Sequence, residues 1–474
     1  MAELWQLPAA EIAYAVRTGQ ASAREVIDAH IARIEAVEPH LNAFAELYAE
    51  EARASADAAD RARAAGAALG PLHGVPTQIK VNTDEAGHAT TNGIPAFAER
   101  IAQEDAPHVA RLRAAGAVFV GRGNTPAFSM RWCADNDLHG RTNNPWDPER
   151  TPGGSSGGAS AAVSSGMVAL AQGNDYGGSI RYPAHACGIC GLRPTVGLVP
   201  RSLGVAGGPD RVTWQLMAVE GPIARRVGDL RVALGVMAGA SPADPFAVPA
   251  APLEAPPRPL RVGLLRDPGV VAPDPPVNAA LDAAAGWLAD AGYAVEEVDH
   301  GLFAEAYRLW YLLCIEDNRR DLPIIEEIGG EGAARSLRTQ LAVARQWWPE
   351  QPSLDDVLDG WARRGAVVRE LHEVLAELPL LLMPVSAEHP FRHGEDIESD
   401  ASAIRLAAAQ WSCMALPLLG FPGLSVSAGV YDGLPVGVQL VAGRFREDLL
   451  LDAGEVIEAR ARVPSPVDPA PGYG

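Results

Sequence analysis

The chain has 474 residues and a formal net charge of -20, with 48% hydrophobic and 21% charged residues. This composition is typical of a folded globular protein and argues against intrinsic disorder, while the negative charge disfavours nucleic acid and anionic membrane surfaces as partners. The N-terminus lacks a basic start and an apolar core, and no apolar run is long enough to span a bilayer, so we expect a cytoplasmic protein.

Residues 1–70 predict an N-terminal helical segment. Ser22 and Glu25 have the spacing of a capping box, and the apolar residues that follow recur at helical intervals. An alanine-rich run over residues 45–68 predicts a further helix, and Pro71 ends this part of the chain.

From residue 71 onward, helical and strand-like segments alternate, which predicts an α/β domain. The segment 74–81 predicts a turn into a short strand with Lys80 near its end. Further strands are predicted over residues 117–121, 196–199, 260–265, 294–298, 378–383, 424–428 and 436–441. A linker rich in Pro and Ala is predicted over residues 242–259.

Residues 300–378 predict a helical cap that carries many of the aromatic side chains. Packing of these rings in an apolar interior is the simpler explanation, and a substrate entrance lined by some of them is the functional one. The residues concerned are Tyr307, Trp310, Tyr311, Trp347, Trp348 and Trp361.

A stretch rich in Gly and Ser, residues 151–194, holds two glycine clusters at residues 153–158 and 175–179. Paired glycines adopt backbone conformations that side chains forbid, and they let a ligand approach main-chain N–H groups. A serine at the end of such a run can lie beside an oxyanion hole made of those groups. A flexible Gly/Ser loop is the alternative.

Lys80 favours the functional interpretation, because it is the only lysine among the 39 Lys and Arg residues. Arginine supplies a positive charge equally well, but it does not deprotonate in proteins and cannot act as a base. A single lysine in such a chain therefore indicates a need for its neutral amine, with chance survival as the alternative.

The five cysteines do not predict a disulfide framework, because the count is odd and no signal peptide is expected. Cys187 and Cys190 form a C-x-x-C pair without a second ligand pair or a thioredoxin-like context. We therefore expect buried structural cysteines, with no metal and no cofactor. The glycine clusters contain neither G-x-G-x-x-G nor G-K-[ST], which argues against nucleotide binding.

Six short motifs are spread along the chain. They are G-V-P-T-Q-I-K (74–80), G-G-S-S-G-G (153–158), D-Y-G-G-S-I-R (175–181), C-G-I-C-G-L-R-P-T (187–195), G-P-I-A-R (221–225) and G-L-P-V-G-V-Q-L-V (433–441). Together they resemble the amidase signature family of serine hydrolases, and such an ordered set is far more specific than any one motif. The resemblance implies that residues 71–474 form a single large amidase signature domain. In it, helices would cover both faces of a central mixed β-sheet, with the cap over about residues 300–378.

The resemblance implies a catalytic triad of two serines and a lysine. By motif position, Ser179 corresponds to the nucleophile, Ser155 to a bridging serine whose preceding peptide bond is cis in the family, and Lys80 to the base. These roles are chemically reasonable: a serine needs a base to accept its proton, burial lowers the pKa of a lysine, and a second hydroxyl can relay a proton.

The same motif positions imply an oxyanion hole of main-chain N–H groups. The donors would be Tyr176, Gly177, Gly178 and Ser179. Asp175 and Arg181 correspond to family residues that brace this loop.

The chain departs from the family at two places. Val81 follows the lysine where the family often has Asp, which removes any contact made by that acid. Asn174 and Tyr176 flank Asp175 where the family often reads G-T-D-T-G-G-S. Because the oxyanion donors are main-chain groups, Tyr176 need not disturb them, and its ring can shape the acyl pocket.

The resemblance implies an enzyme that hydrolyses carboxylic amides through a Ser179 acyl-enzyme. The aromatic residues of the cap, together with Trp132, Trp146, Trp214 and Trp411, favour bulky or aryl amides as small-molecule substrates, and carbamates are a further expectation. Two alternatives are the A subunit of a tRNA-dependent amidotransferase and a non-catalytic scaffold of the same fold. The sequence leaves open whether the chain forms a homo-oligomer.

Overall fold

The computed structural model describes residues 3–202, 210–249 and 260–472. The predicted linker at 242–259 lies outside the described residues from residue 250 onward.

The strands are β1 (Phe44–Leu47), β2 (Pro76–Lys80), β3 (Val118–Gly123), β4 (Asp135–Asn136), β5 (Gly140–Arg141), β6 (Leu170–Asp175), β7 (Cys190–Arg193), β8 (Val219–Ala224), β9 (Arg261–Leu264), β10 (Ala294–Glu297), β11 (Leu380–Pro384), β12 (Gly423–Tyr431) and β13 (Leu434–Ala442). The helices are α1 (Ala9–Thr18), α2 (Ala23–Leu41), α3 (Ala49–Ala64), α4 (Pro107–Ala114), α5 (Gly157–Ser164), α6 (Arg181–Cys187), α7 (Val212–Met217), α8 (Val227–Met237), α9 (Pro275–Asp290), α10 (Leu302–Arg319), α11 (Leu322–Ile328), α12 (Gly330–Ala344), α13 (Leu354–Glu377), α14 (Asp400–Ala409), α15 (Trp411–Leu419) and α16 (Glu447–Ala461).

Eleven strands of the described residues form one mixed β-sheet, in the order β1-β3-β2-β6-β8-β7-β12-β13-β11-β9-β10. Toward one end β3, β2 and β6 are parallel neighbours, with β1 antiparallel to β3 at the edge, and at the other end β11, β9 and β10 are parallel. The strands between them pair antiparallel. The predicted α/β class with a central mixed sheet is confirmed.

Helices cover both faces of the sheet, as β11 shows. Leu380 and Leu382 pack into an apolar cluster that includes residues of α2, α8, α9 and α16. The alternate residues Leu381 and Met383 pack into a second cluster that includes residues of α10, α13 and α15. Successive side chains of a strand point to opposite faces, so each face of the sheet has its own apolar core.

The N-terminal segment contains a strand as well as the predicted helices. The helix predicted over residues 45–68 begins only at α3, because β1 precedes it and pairs antiparallel with β3. Phe44 lies opposite Gly123 in this pairing and is buried against the core. Tertiary pairing therefore overrides the helical composition of the first residues in this run.

The strand predicted over residues 196–199 is wrong. The Leu198 N–H donates to the Thr195 carbonyl at 3.0 Å, which closes a turn, and Gly197 has a φ of 88°, a left-handed conformation that a strand does not adopt. The strands of this region are β7 and β8, and the motif residues Gly221 and Pro222 lie within β8.

The ends of β2 and β6 create the place where polar groups can meet. These two strands are parallel neighbours, so their carboxyl ends lie at the same edge of the sheet. Lys80 is the last residue of β2, and Asp175 is the last residue of β6. The helices α10 to α13 lie within the segment predicted to be a cap, and α10 and α13 contribute to the second apolar cluster, on one face of the sheet.

Candidate active site

Lys80 lies in a buried polar pocket at the end of β2. Its Nζ is 2.6 Å from Ser155 Oγ and 2.7 Å from Asn174 Oδ1. Its main-chain N–H donates to the side chain of Gln172 at 3.1 Å. The side chain is 0% exposed, so the amine exchanges water for two uncharged oxygen partners.

The surroundings of Lys80 favour the neutral amine. Burial lowers the pKa of Lys80 from 10.5 to about 7, against the opposing fields of Glu220 and Asp175. Within the described residues, no carboxylate forms an ion pair with Nζ. A buried cation without a paired anion is costly, which is the physical reason for the lowered pKa.

Ser155 and Ser179 belong to two loops that are joined by a main-chain hydrogen bond. The Ser156 N–H donates to the Ser179 carbonyl at 3.2 Å. The peptide bond between Gly154 and Ser155 is cis, as the resemblance implies. Ser155 is buried, whereas Ser179 is 8% exposed and borders a cavity. The structure thus places the lysine, the bridging serine and the second serine segment at one site.

Asp175 braces the loop that ends in Ser179. Its carboxylate accepts hydrogen bonds from Arg181 at 2.9 and 3.0 Å, from the Gly178 N–H at 3.0 Å and from the Ile180 N–H at 3.3 Å. Arg193 lies 3.4 Å from the same carboxylate. Burial alone would raise the pKa of Asp175, but the two guanidinium groups outweigh it and hold the pKa at about 2.

We call residues 176–179 the oxyanion loop, after the role that the family resemblance implies for it. Its geometry corrects one predicted donor. The Gly178 N–H is bonded to Asp175 Oδ1, so it stabilises the loop and is not available to a substrate oxygen. Among the described residues, the N–H groups of Gly177 and Ser179 have no hydrogen-bond partner. Gly178 has a φ of 93°, and a Cβ there would lie 2.4 Å from the Cβ of Cys413, which explains why glycine is required.

A cavity of about 630 Å³ borders Ser179, and its wall is aromatic. The rings that line the cavity are Phe97, Phe128, Trp132, Tyr176, Trp214, Trp310 and Tyr311. The Tyr176 ring stacks on Trp214 with centroids 4.8 Å apart, and its hydroxyl donates to Thr213 Oγ1 at 2.7 Å. These contacts fix the Tyr176 ring in the wall of the cavity.

Two ion pairs complete the lining of the cavity. Arg131 binds the buried carboxylate of Asp396 at 2.9 and 3.0 Å, and Arg211 pairs with Asp321. Of the other aromatic residues predicted for the pocket, Tyr307 and Trp411 belong to the second apolar cluster, and Trp347, Trp348 and Trp361 are partly buried against it. Neither these residues nor Trp146 line this cavity.

Two residues beside the predicted site have roles that sequence reasoning did not assign. Asn174 Oδ1 accepts a hydrogen bond from Lys80 Nζ, and Asn174 Nδ2 donates to Asn82 Oδ1 at 2.9 Å. Arg193 supports Asp175 from a different strand, donating to its main-chain carbonyl at 2.7 Å. The signal for both was present: Asn174 is a departure from the family motif, and Arg193 lies within the motif 187–195.

The remaining expectations concern cysteines, metals and membranes. All five cysteines are free and buried, including Cys187 and Cys190. In the part of the chain that the structure describes, no group of three or more His, Cys, Asp or Glu side chains could hold a metal ion. The described helices include none with the length and apolarity needed to cross a membrane.

A comparison of the sequence with models of known protein families identifies a family for this chain. The family model described as Amidase matches residues 25–451. The chain belongs to the amidase family. This amidase therefore has the lysine and the two serines of its family motifs at one edge of a shared fold.

Relatives of this amidase cleave or transfer amide groups. The indoleacetamide hydrolase of Bradyrhizobium diazoefficiens is 40% identical over 472 residues, covering 97% of this chain and 87% of that protein. In Synechococcus sp., the A subunit of glutamyl-tRNA(Gln) amidotransferase is 34% identical over 480 residues, covering 94% of this chain and 95% of that protein. The structure of a bacterial aryl acylamidase matches with a TM-score of 0.81 at 27% identity, covering 96% of each chain. This amidase is an amide hydrolase.

Proposed function

We propose that this amidase hydrolyses arylalkyl and aryl amides by acyl transfer to Ser179, with Ser155 relaying the proton to neutral Lys80. The observation that carries the proposal is the buried lysine, whose amine has hydrogen bonds, among the described residues, only with the oxygens of Ser155 and Asn174. With a pKa of about 7, about half of the amine is neutral at pH 7, whereas an ordinary lysine is almost fully protonated.

In the acylation step, Ser179 Oγ attacks the carbonyl carbon of the amide. The Ser179 proton passes to Ser155 as the Ser155 proton passes to Lys80 Nζ, 2.6 Å away. The carbonyl π electrons become an oxyanion, which the free N–H groups of Gly177 and Ser179 are suited to stabilise. Collapse of this intermediate breaks the C–N bond, and the proton returns from Lys80 through Ser155 to the leaving amine.

In the deacylation step, a water molecule takes the place of the departed amine. Its proton passes through Ser155 to Lys80 while its oxygen attacks the ester carbon of the Ser179 acyl-enzyme. Collapse breaks the bond to Ser179 Oγ, which recovers a proton by the same relay and releases a carboxylic acid. The relay therefore needs the neutral amine at the start of both half-reactions.

The aromatic wall beside Ser179 supports a substrate that contains a ring. A cavity of about 630 Å³ is large enough for a bicyclic acyl group, and its rings would offer stacking and edge contacts worth about 1 kcal/mol each. The indoleacetamide hydrolase relative and the aryl acylamidase structure agree with this class. Indole-3-acetamide is therefore the first substrate to test.

The test measures the turnover of a substrate panel by the parent enzyme and by three serine variants, one of which is a control. We expect indole-3-acetamide and an anilide to be better substrates than acetamide, with an aryl carbamate as the fourth member of the panel. Ser179→Ala and Ser155→Ala should each lower kcat/KM by about 10³-fold or more. Ser156→Ala should stay within about threefold of the parent, because the buried Ser156 Oγ has no hydrogen-bond partner. Turnover by Ser179→Ala at the parent rate would refute the proposal.

The A subunit of a tRNA-dependent amidotransferase is the second candidate, favoured by the relative that is 34% identical. On that hypothesis the purified chain would show glutamine-dependent chemistry with partner subunits and little turnover of aryl amides. A self-sufficient aryl amidase would reject it. Covalent labelling of Ser179 by a fluorophosphonate would likewise reject a non-catalytic scaffold.

A further inference from the structure

We infer that Trp310 and Trp132 are positioning residues whose indole N–H groups hold the oxyanion loop in its catalytic shape. The inference rests on the proposed function, because it takes this loop to bind the oxyanion. It assigns the two tryptophans a role in kcat in addition to their place in the wall of the substrate cavity.

Trp310 fixes the first peptide plane of the loop. Its Nε1 donates to the Tyr176 carbonyl at 3.2 Å. The bond between Tyr176 and Gly177 is trans, and in a planar trans peptide the carbonyl and the following N–H point in opposite directions. The Gly177 N–H therefore points away from Trp310, and it has no partner among the described residues.

Trp132 fixes the second peptide plane of the loop. Its Nε1 donates to the Gly177 carbonyl at 2.8 Å. The N–H of the same plane belongs to Gly178 and donates to Asp175 Oδ1 at 3.0 Å. This plane is thus held at both ends, by an indole on one side and by the buried carboxylate on the other.

The loop needs such external support because of its own composition. Glycine has no Cβ, so the planes on either side of Gly177 and Gly178 can rotate at little steric cost. Rotation of the first plane would turn the Tyr176 carbonyl toward the site and the Gly177 N–H away from it. A carbonyl oxygen in that position would repel a developing oxyanion, while loss of one oxyanion donor typically lowers kcat by about 10²- to 10³-fold.

Both tryptophans also border the substrate cavity. Trp310 lies on α10 in the cap, and Trp132 lies in the irregular segment between β3 and β4. The Trp310 ring packs against Gly177, where a Cβ would lie 3.3 Å from its Cζ2. The same rings that contact the substrate therefore also determine the orientation of the loop peptides.

The experiment uses Trp310→Phe and Trp132→Phe, which keep an aromatic ring and remove the N–H donor. We expect each to lower kcat for indole-3-acetamide by about 10- to 100-fold and to change KM by less than about threefold. Affinity for an arylalkyl boronic acid, which forms a tetrahedral adduct with the serine, should fall by the same factor as kcat/KM. Affinity for indole-3-acetic acid should stay unchanged.

Two controls separate positioning from packing. Trp348→Phe removes an indole N–H that donates to the Arg308 carbonyl at 3.0 Å, outside the cavity, and should leave kcat unchanged. Trp214→Phe changes another ring of the cavity wall. Within the described residues Trp214 has no hydrogen bond to the oxyanion loop, so this variant should change KM more than kcat.

The outcomes distinguish this inference from the proposed function. If Ser179→Ala is inactive while Trp310→Phe and Trp132→Phe retain the parent kcat and boronate affinity, the positioning role is overturned and the proposed function stands. Turnover by Ser179→Ala would instead refute the proposed function. If a phenylalanine variant fails to fold, benzothienylalanine at the same position keeps the ring size without the N–H, and the same kcat loss is expected.

Discussion

Lys80 and Asp175 are two ionisable residues at the ends of neighbouring parallel strands, and both are completely buried. Asp175 faces the guanidinium groups of Arg181 and Arg193, and its pKa is about 2. In the described part of the chain, the Lys80 amine has hydrogen bonds only with the uncharged oxygens of Ser155 and Asn174, and its pKa is about 7. The same edge of the sheet thus holds one permanently charged group and one group poised to change its charge.

The difference comes from the partners and not from the depth of burial. A buried charge is tolerated when opposite charges and hydrogen bonds replace its hydration, as they do for Asp175. Lys80 has hydrogen bonds without a paired anion, so burial favours its neutral form. The acid is therefore suited to hold the oxyanion loop, and the amine is suited to take a proton.

The largest expected effect is on activity, from Lys80→Arg. Arginine keeps the positive charge but cannot supply a neutral base, so kcat/KM should fall by about 10³- to 10⁴-fold. Lys80→Met, which removes the charge and the base together, should lose about as much. Steady-state kinetics with indole-3-acetamide tests both variants. Activity of Lys80→Arg within tenfold of the parent would show that charge alone matters.

The next largest effect is on stability, from Asp175→Asn. This change leaves the buried guanidinium groups of Arg181 and Arg193 without their anion, so the free energy of unfolding should fall by about 3–5 kcal/mol. Glu373→Gln is the control, because it breaks the exposed pair between Glu373 and Arg369 and should cost less than about 1 kcal/mol. Chemical denaturation measures both. Equal losses in the two variants would contradict the role given to Asp175.

The proximity of Lys80, Ser155 and the Ser179 segment, which the proposed mechanism uses, was predictable because its signals are local. The glycine motifs and the position of Lys80 at a strand end lie in short segments of sequence, and the structure brings Lys80, Ser155 and the Ser179 segment together as expected. The single lysine also carried physical information, since its lowered pKa follows from burial.

The contacts that support the oxyanion loop were not predictable, because they join distant parts of the chain. In the sequence, Trp310 lies 134 residues from Tyr176, to which it donates a hydrogen bond, and Trp132 lies 45 residues from its own acceptor, Gly177. The use of the Gly178 N–H by Asp175 depends on the folded shape of the loop. For the same reason β8 was missed: Gly221 and Pro222 resemble a break in sequence but occupy a strand that pairs with β6.

The pH dependence of the parent enzyme should show the reactive member of the pair. The proposed mechanism needs neutral Lys80, so kcat/KM should rise with pH through a midpoint near 7 and fall about tenfold per pH unit below it. The charged Asp175, with a pKa of about 2, should contribute no inflection between pH 5 and 9. A rate profile that is flat from pH 5.5 to 8.5 would contradict the assignment of Lys80 as the base.

The smallest expected effect follows from making the partners of Lys80 resemble those of Asp175. Asn174→Asp would place a carboxylate where Oδ1 now lies, 2.7 Å from Nζ. An opposite charge at this distance favours the protonated amine and should raise the pKa of Lys80 by about 1 unit or more. Activity at pH 7 should then fall about fivefold or more and recover at higher pH. Asn174→Thr, a neutral change to the residue common in the family motif, should leave the midpoint near 7. If Asn174→Asp instead loses the same activity at every pH, the amide acts on geometry alone and its lack of charge is not what keeps the lysine neutral.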